Sequence, residues 1–166
     1  MLEAIQRNVT WRAIPIAGFA AGTAHLLVNL ILTPLMLGIQ PGLIMRYMGS
    51  LVLGQGVLMD TTNTTAVIVG VIVHYALSIL FALLIAIVIH RWGLIVGILG
   101  GALLGLCIYL INYYTMTYFV NWMFAIDSPV MIIAHLIFGA VAGGVYETYD
   151  HFDLPVERIE EKLKNV

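Results

Sequence analysis

Four stretches of this chain contain no Asp, Glu, Lys or Arg, and each is long enough to cross a bilayer. They lie between Arg12 and Arg46, Asp60 and Arg91, Arg91 and Asp127, and Asp127 and Glu147. A helix needs about 20 apolar residues to span the hydrocarbon core of a membrane. The sequence therefore predicts an all-α membrane protein, an antiparallel bundle of four transmembrane helices over residues 13–37, 64–89, 93–118 and 129–146.

Composition narrows the function classes. Of 166 residues, 61% are hydrophobic and only 10% charged, with a mean hydropathy of +1.01. Soluble domains carry about a quarter charged residues. Residues 1–150 are expected to form one transmembrane domain and 151–166 a cytoplasmic amphipathic tail, which leaves no room for a soluble catalytic domain. A net charge of -2 without a basic patch excludes a nucleic-acid partner. Cys107 is the single cysteine, so no disulfide can form within one chain.

Lys and Arg set the expected orientation. With a cytoplasmic N-terminus, Arg7, Arg12, Arg91, Arg158, Lys162 and Lys164 fall inside and only Arg46 outside. Both termini are then cytoplasmic, in a cytoplasmic (inner) membrane. The first apolar run is too long for a signal-peptide core and is read as a retained helix. His90-Arg91-Trp92 forms a short inner turn, so spans two and three are expected to be an antiparallel hairpin. Trp11, Trp92 and Trp122 fall at the expected membrane interfaces.

The connection after the first span is longer than a turn. Within 43–53 the small or polar Arg46, Tyr47, Gly49 and Ser50 share one side at helical spacing. This predicts a helix lying on the outer interface, with a re-entrant segment as the alternative. Gly49, Gly54 and Gly56 lack the GK[ST] ending of a phosphate loop. In the tail, Pro155 and Glu157 suit the start of a short helix, and Val156, Ile159 and Leu163 share a face. Glu160 and Lys164 are spaced to pair there, and the helix reads as resting on the inner leaflet. Asp150, His151 and Asp153 read as solvated residues before it.

Glycines mark where helices pack. The third span carries Gly93, Gly97, Gly101 and Gly105 at intervals of four. The first has Gly18 and Gly22, and the fourth Gly139 and Gly143. Small residues at this spacing let backbones approach closely in lipid. The neighbour is another helix of the chain, a second copy in a homo-oligomer, or another membrane subunit.

Polar residues follow the same stripes. His25 and Asn29 share a face with the glycines of span one, His74 lies beside Ser78 in span two, Tyr109 and Asn112 sit in span three, and His135 in span four. At about 1.5 Å per residue, His25 and His74 lie roughly 15–18 Å below the outer surface and His135 roughly 9 Å. Ionisable residues at such depth point to function. Four readings follow for His25, His74 and His135: hydrogen bonds that lock the bundle, ligation of haem b, a Cu or Zn site, or a proton or solute pathway. Seven of the eight methionines fall near the outer side, which suits soft metal or plain packing. Asp127, Ser128 and His135 lack the nucleophile elbow of a hydrolase.

From Leu43 to Glu147 the chain resembles a family of small bacterial four-helix membrane proteins. The resemblance rests on LVLGQGVL after the first span, VIVHYALSILFALLIAIVIHR, YLINYYTMTYF and AHLIFGAVAGGVYE, in that order. His74, Asn112, Trp122 and His135 match the pattern and His25 departs from it, which favours a His74–Asn112–His135 core. Some members carry transporter-like labels, and the resemblance implies no activity. The expected function is a non-enzymatic membrane subunit that assembles through its glycine faces. A haem- or metal-binding protein and a small ion, proton or solute transporter are the alternatives.

Overall fold

A computed structural model describes the backbone of residues 9–164 and the side chains of residues 9–150. Five α-helices make up most of it: α1 (Ala13–Leu37), α2 (Pro41–Leu53), α3 (Thr64–Ile89), α4 (Leu94–Leu110) and α5 (Pro129–Lys164). A π turn at Ile111–Thr115 and 3-10 turns at Met116–Tyr118 and Asn121–Ile126 link α4 to α5. Four stretches, Ala13–Leu37, Thr64–Ile89, Leu94–Tyr118 and Pro129–Asp150, are long and apolar enough to cross a membrane. Large apolar side chains point outward along them, with Leu35 78%, Ile72 63% and Ile95 74% exposed. That surface requires an apolar surrounding, and the chain has the make-up of an integral membrane protein.

The ends of the helices follow local chemistry. Gly38 stops α1 in a left-handed conformation (φ 67°), its N–H bonded to the Pro34 carbonyl at 3.0 Å. Glycine takes that conformation without steric cost. Pro41 starts α2 at a position where no N–H is needed. Asn63 caps α3 by accepting the Ala66 N–H at 2.9 Å.

The bundle differs from a simple series of hairpins. Consecutive α3 and α4 make only a small contact, and α5 instead fills the space between α4 and α1. The glycine rows of α1, α4 and α5 each meet another helix of the chain. Gly101 and Gly105 of α4 press on the backbone of Gly139 and His135 in α5, and Gly143 presses on Gly97. Gly18 and Gly22 of α1 press on Ile79 and Ser78 of α3. Gly93 belongs to no packing row: it has a positive φ of 87° and precedes α4 with open space around it.

Helix α2 packs against the first turns of α3 rather than standing alone. Gly49 meets the Ala66 carbonyl and Gly70 meets the Met45 carbonyl, so the two helices touch backbone to backbone. Its small face is therefore turned inward, with Gly49 and Ser50 buried beside Ile44 and Met45. The tail departs from expectation in the same way. Helix α5 continues unbroken past Asp153 and Pro155 to Lys164, so no separate helix begins there. Its expected amphipathic face, the Glu160–Lys164 pair and the side chains of His151 and Asp153 lie outside the described residues. Asp150 is buried at 1% exposure rather than solvated.

Candidate functional site: a histidine-walled chamber

A partly open chamber of 320 Å³ lies among the helices of the bundle. Helices α1, α3, α4 and α5 each contribute to its wall. Phe81, Ile108 and Phe138 line it at the end remote from α2. Met48 and Leu51 of α2 line the other end, with Met123 and Ile126 from the last 3-10 turn. Among the described residues, no Asp, Glu, Lys or Arg lines it, while Met45, Met48, Met116, Met123 and Met131 all do.

The histidines of three different helices converge on this wall. The His25 ring lies 5.4 Å from His74 and 4.8 Å from His135, centre to centre, and meets His135 edge to face. These are distances of direct ring–ring contact. The sequence placed all three at membrane depth, and helix packing brings them together. His25 is central to the cluster, in contact with both other rings.

Each ring has at least one nitrogen held by a neighbour. His74 Nε2–H donates to the Gly22 carbonyl at 2.9 Å, in α1. His135 Nδ1–H donates to the Met131 carbonyl at 2.8 Å, in its own helix. A carbonyl can only accept, so these bonds fix both tautomers. Asn112 Nδ2 then donates to His135 Nε2 at 3.3 Å. Asn29 Nδ2 donates to the His25 carbonyl at 3.0 Å and faces His25 Nδ1 at 3.4 Å.

Other polar residues expected in the core have separate duties. Ser78 donates to the His74 carbonyl at 2.7 Å and stands where a Cβ on Gly22 would have to go. Tyr109 turns its hydroxyl to Asp127 at 2.8 Å, although its ring lies 5.7 Å from His135.

Some structural residues had escaped sequence reasoning. Thr33 donates to Asn29 Oδ1 at 3.3 Å, a bond signalled only by its i,i+4 spacing. Trp122 Nε1–H donates to Ser50 Oγ at 2.9 Å and ties the last 3-10 turn to α2. Buried Glu147 of α5 accepts the N–H of Trp92 at 3.3 Å and of Gly93 at 3.1 Å. It caps the start of α4, where unpaired N–H groups favour a carboxylate. Asp150 receives the Thr10 hydroxyl, and the Tyr146 hydroxyl accepts the Thr10 N–H at 3.1 Å.

The donor set bears on cofactors. Among the described residues, no three His, Cys, Asp or Glu side chains are placed to hold a metal ion. A porphyrin lying between two of these imidazoles would have to separate rings that now touch. No family model matches the chain, and no curated protein or solved structure matches it. The resemblance in segment order therefore assigns no activity, and function has to be argued from the chamber.

Proposed function

We propose that this chain is a small inner-membrane protein, both ends cytoplasmic, that binds a small, neutral, largely apolar molecule in the chamber walled by His25, His74 and His135. The chamber carries the reading: 320 Å³ of partly open space among the helices, bordered by apolar side chains and a few convergent polar groups, with no charged residue among the described ones. Small-molecule sites have this character, with volumes of about 300–1,000 Å³. The volume falls at the small end of that range and suits a single ring or a short chain. Methionine walls adapt to irregular apolar shapes.

Haem b finds less support because the imidazoles pack on one another, and Cu or Zn because no three donor side chains among the described residues are placed to hold a metal ion. Assembly through glycine faces, as a homo-oligomer or with other subunits, was the leading expectation from the sequence. Apart from Gly93, those glycines press on partners within the chain, so an assembly would use other surfaces of the bundle. Transport of a small solute would use the same chamber, with the bound molecule as cargo.

Native mass spectrometry of the gently solubilised protein tests the reading. A small neutral molecule should leave with the wild-type chain and be depleted from Met48→Trp, which puts a bulky ring into one end of the chamber. An identical adduct pattern in both would contradict it. An absorbance spectrum and metal analysis on the same sample would reveal haem or metal, and a Soret band lost in His74→Ala would replace this reading with a haem protein.

A further inference from the structure

His25 and His74 stand side by side with opposite unmet needs. His74 Nε2–H is committed to the Gly22 carbonyl, so in the neutral ring Nδ1 is a bare lone pair. It has no hydrogen-bond partner among the described residues. His25 is held the other way round. The Thr33 hydroxyl donates to Asn29 Oδ1, which fixes the amide so that Nδ2 faces His25. His25 Nδ1 therefore accepts, and its proton sits on Nε2. That nitrogen is buried and has no partner.

The ring that carries the unpaired donor thus lies beside the ring that carries the unpaired acceptor, 5.4 Å away centre to centre, and both rings line the chamber. No direct hydrogen bond joins them. A buried donor left unpaired is costly, so the pair favours an occupant that gives His25 Nε2 an acceptor and His74 Nδ1 a donor. A ketone or ether oxygen accepts and satisfies His25 alone. An ammonium donates and satisfies His74 alone, and it brings a charge that no carboxylate in the wall balances. A hydroxyl accepts and donates at one atom.

From this juxtaposition we infer that the chamber takes a hydroxyl-bearing molecule, an alcohol or a phenol, with its hydroxyl between His25 and His74 and its apolar body among the methionines. The inference rests on the chamber being a ligand site. Water has the same hydrogen-bonding capacity and is the competing occupant.

Three matched probes separate the possibilities: 4-fluorophenol, 4-fluoroanisole and 4-fluorotoluene, followed by fluorine NMR with the protein in lipid nanodiscs. Affinities are referenced to partition into empty nanodiscs. The phenol should bind about tenfold more tightly than the other two, the worth of one or two net hydrogen bonds. In His25→Phe the three should agree within about twofold. Equal binding of all three to the wild-type protein would overturn the hydroxyl assignment, leave the chamber as a ligand site and place water between the histidines. Binding of none, or binding that Met48→Trp leaves unchanged, would overturn both. The wild-type comparison stands even if His25→Phe fails to fold.

Discussion

Gly139 on α5 lies directly against the backbone of Gly101 on α4, and a Cβ on either would overlap the other's carbonyl oxygen. The contact sits in the most extensive helix pair of the bundle. In lipid, where the hydrophobic effect does not drive helices together, such backbone approach is a main source of packing energy.

Gly101→Ala and Gly139→Ala should each destabilise the bundle by about 1–3 kcal/mol, the usual cost of overpacking a tight contact. Thermal unfolding in detergent measures this. The loss should be independent of protein concentration, because the contact lies within one chain. Gly42→Ala is the control: no neighbouring atom lies within 4 Å of its added Cβ, and stability should hold or rise slightly.

Glu147→Ala should cost about 1.5–3 kcal/mol, in the range for hydrogen bonds to a charged group. It removes the acceptor of the Trp92 and Gly93 N–H groups. Hydrogen exchange should quicken at those amides before it quickens in the middle of α4. Uniform exchange across the bundle would show that Glu147 does not act locally.

Trp122→Phe keeps an aromatic ring and loses the bond to Ser50. The expected cost is about 0.5–1.5 kcal/mol. Because that bond ties the last 3-10 turn to α2, the change should raise exchange in α2 while α4 and α5 keep their protection. The same variant should release bound ligand faster, since Met48 and Leu51 of α2 line the chamber.

The turn before α3 carries an acid-sensitive element. Hydrogen bonds from the Thr62 hydroxyl and N–H, with a smaller contribution from Arg46, hold the Asp60 carboxyl below its ordinary value near 3.8. The folded pKa is depressed, so the bonds are fully present above the ordinary value and are lost as pH falls through the lower, folded one. The Thr62 amide resonance should hold steady from neutral pH to about pH 5 and move below about pH 4. Asp60→Asn should abolish the movement.

The helices were legible in the sequence where hydrophobic length alone decides them. Residues 13–37 and 64–89 were expected and found as α1 and α3, because long charge-free runs have few other options in a bilayer. Pairing was not legible. A glycine row marks a close approach without naming the partner, so α5 lying between α1 and α4 could not be read. The histidines were legible as ionisable residues within charge-free apolar runs, but their convergence depends on that pairing. Glu147 and Asp150 read as charges at the end of a span, yet both are buried, each accepting hydrogen bonds from a distant part of the chain. Helix α2 was predicted by its small face, and only the contact of Gly49 with Ala66 shows what that face meets.

The most direct test of the chamber is crystallography of the protein with 4-iodophenol, locating iodine by its anomalous signal. The account predicts one strong peak inside the bundle near Met48 and Met123, with the phenol oxygen between His25 and His74. Iodine found only on the outer apolar surface, with the chamber empty or filled by water, would contradict it.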